Sequence, residues 1–284
     1  MKPGCLYVVA TPIGNLGDLS PRAQRVLAAV TRIAAEDTRT TGVLLSHFGI
    51  RTPLLALHEH NEERLAGGVV EALQRGDSIA IVSDAGTPLI SDPGFDLVRA
   101  ARAGGCEVIA IPGACAAIAA LSISGLPSDS FVFAGFLPPK SGARRERLQH
   151  LARETRSVIV YESSHRIADC AADLAQLLPG RRVLLAREIS KRFEQSVLCP
   201  ASGLPAWIAA DTNRTRGEFV LVIEGAPDAF DAASYDAQTL LRALLGELPA
   251  ARAAKVAATL TGRPKRELYE LAMKLAPDRG EPSA

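Results

Sequence analysis

The chain has 284 residues, 48% of them apolar, and its 32 Lys and Arg against 31 Asp and Glu leave a net charge of +1. That length accommodates two domains and a small appendage, with enough apolar surface for a large core. Near-neutrality excludes a uniformly basic nucleic-acid coat, so any nucleic-acid surface must be a local patch.

The first apolar run, Leu6–Ala10, reads as a strand and stops in the turn chemistry of "TPIGNLGDLS". Ser20 is an N-cap with Pro21 at the first helical position. Asn61 suits the cap of a helix that runs to Gln74 and ends at Gly76. Further strands are predicted at Ile79–Ser83, Glu107–Ile111, Phe131–Gly135, Val158–Tyr161, Val183–Arg187 and Glu218–Ile223. Between them lie a small-residue helix, Ala114–Ser124, and a basic helical pattern, Arg144–Glu154. Alternating strands and helices predict an α/β class with substantial parallel pairing. One boundary is placed at Pro112–Gly113 and a second in "GAPDAFDAASYDA", which gives α/β domains over 1–113 and 114–228. Residues 236–278 form a third module: Leu248–Leu260 and Lys265–Leu275 read as helices joined by "TGRP", a helix-turn-helix-like hairpin. The tail Asp278–Ala284 is expected to fray.

The five cysteines are far apart and form no CxxC pair, so buried reduced thiols and a cytoplasmic location are expected. The apolar run before Thr11-Pro12 is short for a signal peptide, and no apolar segment reaches the ~18 residues of a membrane span. "HEH" (His58–His60) invites a metal reading, but no third ligand group accompanies it, so no metal is expected.

Turn-formers and polar groups concentrate after the strands, where ligands gather in open α/β sheets. "TPIGNLGDLS", "DAGTPLISDPG", "PGACAAIAALSISGLP", "ESSHR" and "EISKRFEQ" each follow a predicted strand. The first lacks the lysine of a phosphate-binding loop, and Gly14-x-x-Gly17 is not a dinucleotide fingerprint. Asp18 and Asp84 would repel a pyrophosphate, whereas a ligand with a cationic or amino end suits these loops. S-adenosylmethionine is such a ligand, with a sulfonium, an α-amino group and a nucleoside that glycine lets the backbone approach. The plain alternative for any one of Gly14, Gly17, Gly86 and Gly94 is turn geometry alone.

The motifs "VATPIGNLGDLSPRA", "AEDTRTTGVLL", "LHEHNE", "VSDAGTPLISDPG", "IPGACAAIAALSISGLP", "YESSHRI" and "REISKRFEQ" together resemble the ribosomal small-subunit RNA 2′-O-methyltransferase family of the tetrapyrrole-methylase superfamily. The resemblance runs from about Leu6 to Glu224 and extends into the tail. It implies methyl transfer from S-adenosylmethionine to the ribose 2′-hydroxyl of cytidine 1402 in the 16S rRNA of the small ribosomal subunit. It also implies two α/β domains with the cofactor between them, and a homodimer.

Cofactor contacts are expected from Pro12, Gly14 and Asp18 in the first loop and Asp84, Gly86, Thr87, Ser91 and Asp92 in the second. By motif position, the resemblance adds Ser122 to Ser124 and the strand Gly217–Val222 as the frame of the adenosine. A ribose hydroxyl is a poor nucleophile until its proton leaves, so a base is useful. Glu162, Glu188 and Lys191 are the chief candidates, with Glu36 and Asp37 also at strand ends. Lys191 would need a lowered pKa for that role. His165 suits proton transfer, but Arg166 beside it equally makes both phosphate ligands, and Arg39 beside Asp37 reads as a structural ion pair.

Lys140, Arg144, Arg145 and Arg147 form a basic cluster that reads as a mobile lid over RNA phosphates or as a solvated helix face. Arg263, Lys265 and Arg266 crowd the start of the last helix, where the resemblance favours RNA over DNA; a dimer-packing hairpin with incidental charge is the other reading. Tyr269 there suits base stacking or core packing. Two other readings stay open: a small-molecule methylase of the tetrapyrrole or diphthine type, and a non-catalytic RNA-binding assembly factor.

Overall fold

The computed structural model describes residues 2–58, 61–227 and 237–275. The chain divides into two compact units, Met1–Gly225 and Ala226–Ala284. The first unit contains two five-stranded sheets.

In chain order, the first sheet and its helices are β1 (Cys5–Val9), α1 (Pro21–Ala29), β2 (Arg32–Ala35), α2 (Thr38–His47), β3 (Leu54–Ala56), α3 (Glu62–Gln74), β4 (Ile79–Val82), α4 (Phe95–Ala103) and β5 (Glu107–Ile111). The strand order is β3-β2-β4-β1-β5, and every pair is parallel. Such a sheet is covered on both faces. Ala23, Val26 and Leu27 of α1 and Leu45 of α2 pack on one face. Ala66, Val69 and Leu73 of α3 and Leu97 and Ala101 of α4 pack on the other. From β1 the chain crosses to β2 on one side, and from β4 to β5 on the other. The gap between β1 and β4 is therefore a topological switch point, where ligands bind beyond the strand ends.

The second sheet follows α5 (Ala116–Ile123): β6 (Phe131–Phe136), α6 (Ser141–Leu151), β7 (Ser157–Ser163), α7 (Ile167–Leu177), β8 (Arg182–Arg187), β9 (Gln195–Pro200), α8 (Leu204–Ala209) and β10 (Glu218–Ile223). Its order is β6-β7-β10-β8-β9. Only β6 and β7 are parallel; the other three pairs are antiparallel, so parallel pairing dominates one sheet and not both. The α6–α8 layer covers one face and α5 the other.

Three strands are not in the sequence expectation. In β2, Ile33, Ala34 and Ala35 are fully buried, yet alanine has little strand preference, so position between β3 and β4 decides its state. β3 has only three residues, and β9 is an edge strand ending at Pro200. The expected caps fare unequally. Ser20 Oγ accepts from the Ala23 amide at 3.1 Å, with Pro21 opening α1. Asn61 sits at the N-cap of α3 but caps nothing; its Oδ1 accepts from the His58 amide at 2.9 Å. Instead Glu62, buried in the first turn, accepts from the amides of Gly94 (3.1 Å) and Leu97 (2.9 Å) and so caps α4 from a distance.

The second unit, within the described residues, is a three-helix cluster: α9 (Ala237–Glu247), α10 (Ala250–Thr261) and α11 (Lys265–Leu275). Leu241, Leu245, Ala254, Ala257, Leu268 and Ala272 form its core. The predicted hairpin is α10 and α11, joined where Gly262 takes a left-handed φ of 64° and ends α10. α9 was not anticipated. Residues 228–236, most of the predicted second linker, lie outside the described residues, as does the tail from 276. No helix among the described residues is long and apolar enough to cross a membrane.

Candidate active site

The loops after β1 and β4 are tied by reciprocal hydrogen bonds, Thr11 N to Gly86 O (2.8 Å) and Gly86 N to Thr11 O (3.2 Å). The β4 loop is held in unusual backbone conformations: Leu89 and Ser91 have φ of 72° and 69°, and Gly86 of 86°. Left-handed non-glycine residues cost of order 1–3 kcal/mol each and persist where surrounding structure imposes them. Here the Glu62 carboxylate, the Thr11–Gly86 pair and a Thr87 Oγ1 bond to Ala114 O (3.0 Å) do so.

Below this loop lies a cavity of about 390 Å³ between the two sheets of the first unit, within the roughly 300–1,000 Å³ range of small-molecule sites. Gly86, Thr87, Ser91 and Asp92 line one wall. Phe136, Tyr161, Glu162 and Gly217 to Val220 line the other. No lysine or arginine lines it, whereas three acids do: Asp92, Glu162 and Glu218. Burial pushes the Asp92 carboxyl up to about 6; the Ser83 hydroxyl opposes this, and the charges of Glu36 and Asp84 add to it. Glu162 is buried, and its Oε2 has no hydrogen-bond partner. Its Oε1 is held by the Ser163 amide (2.8 Å) and by Arg166 (2.6 Å). Tyr161 joins the walls: its hydroxyl accepts from the Ala117 amide at the start of α5 (3.2 Å), and burial pushes its pKa up to about 12. A cavity lined by three acids and by no lysine or arginine suits a ligand bearing positive charge and amino groups.

The other expected residues are placed differently. Of the first loop, only Ile13 lines the cavity. Pro12 is buried beside it. Gly14 and Asp18 instead meet the turn after β8: Gly14 lies against Lys191, and Asp18 Oδ2 accepts from Ser190 Oγ. Asp84 braces the start of α2, where its Oδ1 accepts from the Asp37 amide at 3.0 Å. Ser122 and Ser124 do not line the cavity; each bonds back to its own helix, at Ala119 O (2.7 Å) and Leu121 O (2.8 Å).

Glu188 and Lys191 form a clasp rather than an acid–base pair. Lys191 Nζ donates to Glu188 Oε1 (2.9 Å) and Glu218 Oε2 (2.6 Å). Burial opposes the Lys191 charge, but hydrogen bonds to Glu218 and Glu188 outweigh it and hold its pKa above the ordinary lysine value. That is opposite to the shift a basic amine requires. Burial likewise opposes the Glu188 charge, yet the Lys191 hydrogen bond and the Glu218 amide hold its pKa below the ordinary carboxylate range.

The basic cluster also divides. Arg144 is 3% exposed and pairs with Asp173 at 2.7 Å, so it is a core residue rather than part of a surface lid. Arg145 shares Asp173 and bonds Gln176. Lys140, Arg147 and His165 are exposed. Arg166 is committed to Glu162 and to Leu137 O (3.1 Å). In α11, Arg266 pairs with Glu270 (3.3 Å) and Lys265 is exposed; Arg263, in the turn before it, pairs with Glu267. Arg39 pairs with Asp37 as expected, and its hydrogen bonds draw the Asp37 carboxyl down to about 2. Among the described residues no cluster of three His, Cys, Asp or Glu could hold a metal; His60 lies outside them.

Residues 5–205 match the family of Tetrapyrrole (Corrin/Porphyrin) Methylases, and residues 231–276 match the RsmI C-terminal HTH domain. The chain is 56% identical over 269 residues to ribosomal RNA small subunit methyltransferase I of Xylella fastidiosa (strain Temecula1), covering 94% of this chain and 98% of that one. The chain belongs to the ribosomal RNA small subunit methyltransferase I family of tetrapyrrole methylases. The Pseudomonas aeruginosa PAO1 member is 51% identical over 277 residues, 96% of this chain and 98% of that one. The uroporphyrin-III-C-methyltransferase of Thermus thermophilus has the same fold, with a TM-score of 0.55 at 20% identity over 78% of this chain and 94% of its own. As a member of this family the protein is a methyltransferase that uses S-adenosylmethionine. The cavity fits that donor: no lysine or arginine lines it to repel a sulfonium, and its acids include Asp92, which faces the charges of Glu36 and Asp84, and Glu162, whose Oε2 has no hydrogen-bond partner.

Proposed function

We propose that this protein methylates the ribose 2′-hydroxyl of cytidine 1402 in 16S rRNA, in the context of the small ribosomal subunit. The acid-lined, cation-free cavity at the switch point carries the reading, together with near full-length relatives named for small-subunit rRNA methylation. Asp92 and the backbone of Gly86 to Ser91 hold the cationic end of the donor, and Gly217 to Val220 frame its nucleoside. The bound donor supplies an electrophilic methyl group on sulfur. The protein's main task is to place the ribose oxygen behind it.

Of the candidate bases, Glu162 is best supported as proton acceptor, because it lines the cavity and keeps one carboxylate oxygen uncommitted. Lys191 and Glu188 act by position: the paired lysine also holds Glu218, which lines the cavity. Lys140, Arg147, His165, Lys265, Arg263 and Arg266 supply RNA phosphate contacts, and the protein acts as a cytoplasmic homodimer.

Labelled-methyl transfer to small ribosomal subunits lacking this modification tests the reading. The expected product is one 2′-O-methylcytidine per subunit. Transfer to porphyrin precursors and not to rRNA would establish a small-molecule methylase instead. Subunit binding without transfer would establish an assembly factor.

A further inference from the structure

The turn after β8 has a second feature that the clasp does not use. Phe193 is 64% exposed, yet the turn that presents it is tightly fixed. Arg187, itself buried, donates to Phe193 O at 3.0 Å. The Ser190 amide donates to Glu194 Oε2 (2.8 Å), and the Lys191 amide to Glu188 O (3.0 Å). Glu188 and Ser190 hold left-handed φ values of 54° and 67°. Such strain persists only where the surroundings over-determine it, often at functional sites. Ile189 in the same turn lines the cavity, so the exposed ring is carried by a wall of the site.

The end of β6, in the same sheet, repeats the pattern. Phe136 lines the cavity and is 53% exposed. Each ring carries a guanidinium: Arg192 lies 5.5 Å from the Phe193 centroid and Arg166 lies 6.0 Å from that of Phe136. A protein partner would call for a contiguous apolar patch. Phe193 instead stands among Ser190, Lys191, Arg192 and Glu194, a flat apolar face ringed by polar and charged groups. A face of that kind matches a nucleobase, and exposed Arg192 beside it matches the backbone.

We propose that Phe193 and Phe136 are stacking surfaces for unpaired bases of the RNA strand that enters the cavity. The inference rests on the rRNA reading and deepens it. A ribose drawn into a protein cavity leaves its base stack, and stacking on aromatic rings replaces the lost contacts.

The test uses the full chain, a fluorescent dodecamer of cytidine RNA, and the same strand made abasic. Base–aromatic stacking predicts that the wild-type protein binds the base-bearing strand about tenfold tighter or more. Phe193→Ala should lose most of that preference, Phe193→Trp should keep it, and Phe193→Leu should not. With small subunits, Phe193→Ala should raise KM about tenfold with kcat and calorimetric cofactor affinity unchanged. Equal binding of both strands by the wild type overturns the proposal, as does unaltered discrimination by Phe193→Ala. A changed sedimentation coefficient for Phe193→Ala also overturns it, assigning the ring to contact between copies. If the wild type transfers no methyl to subunits, the rRNA reading fails, while the two-strand comparison still decides the stacking.

Discussion

Gly14 and Lys191 touch across the molecule: a Cβ on Gly14 would fall 2.3 Å from Lys191 Cγ. Gly14 has φ of 142°, a conformation that side chains rarely adopt. Gly14→Ala is therefore expected to destabilise by about 2 kcal/mol or more. Adding Lys191→Ala should recover the steric part and leave the backbone part, a coupling that a double-mutant cycle in denaturant unfolding measures.

Lys191 is held as an ammonium by two carboxylates, so its removal should not delete an ionisation from the pH–rate profile. Lys191→Met is expected to lower kcat through misplacement of Glu218 while the profile keeps its shape. Glu162→Gln, which keeps the shape but cannot accept a proton, should cost about 10²-fold or more in kcat with calorimetric cofactor affinity unchanged. A loss of that size in Lys191→Met, with near-normal kcat in Glu162→Gln, would exchange the two roles.

Arg144 and Asp173 form a pair that is almost wholly buried, with side-chain exposures of 4% and 9%. Truncating one member of such a pair costs about 3–5 kcal/mol, because the other charge stays behind. Arg145, 3.2 Å from the same carboxylate, should hold the cost of Arg144→Ala near the lower figure. The salt dependence of RNA binding should be unchanged by Arg144→Ala and shallower in the Lys140, Arg147 double variant. Melting and salt-titration of binding check the two halves.

Asp92, pushed from 3.8 to about 6 chiefly by burial, holds its proton in the folded state over a range where the unfolded chain has lost it. The folded protein thus binds more protons between about pH 4 and 6, and this group's contribution to stability falls as pH rises through that window. A cationic ligand favours the charged carboxylate, so cofactor binding near pH 5.5 should release a proton. Affinity should rise toward pH 7. Calorimetry in two buffers of different ionisation enthalpy measures the release, and Asp92→Asn should abolish it.

Glu62 caps α4 from another helix. Glu62→Ala leaves two buried amides unpaired and should cost about 2–3 kcal/mol. Because Gly94 ends the β4 loop, the same change should weaken cofactor binding even in chains that remain folded. Comparing unfolding free energy with calorimetric affinity separates the two effects.

How much was legible in the sequence varies from residue to residue. The strands β1, β4, β5, β7 and β10 are rich in Val and Ile between turn-formers, so their state is written locally. The alanines of β2 carry no such signal and become a strand by being enclosed. Gly86, Thr87, Ser91, Asp92 and Glu162 follow predicted strands in turn-rich loops, which marks them locally, and all line the cavity. Phe136, Tyr161 and Ile189 line it too, but an aromatic or aliphatic residue beside a strand looks like core until the opposite wall is placed. Ser122 and Ser124 show the converse, since a hydroxyl in a helix satisfies itself on the preceding turn.

By itself the sequence determined the α/β class, the helical module at the end, and the loops after the strands from which the site is built. These follow from periodicity, turn residues and side-chain chemistry, which act over a few residues. Only the tertiary structure decided which polar groups became partners. Arg144 was withdrawn from the surface, Lys191 was fixed as a cation between two acids, and Glu162 was left with one free oxygen. Arg144 meets Asp173, 29 residues away, and Lys191 meets Glu218, 27 away, so these pairings are set only when the sheets pack, and no local pattern encodes them.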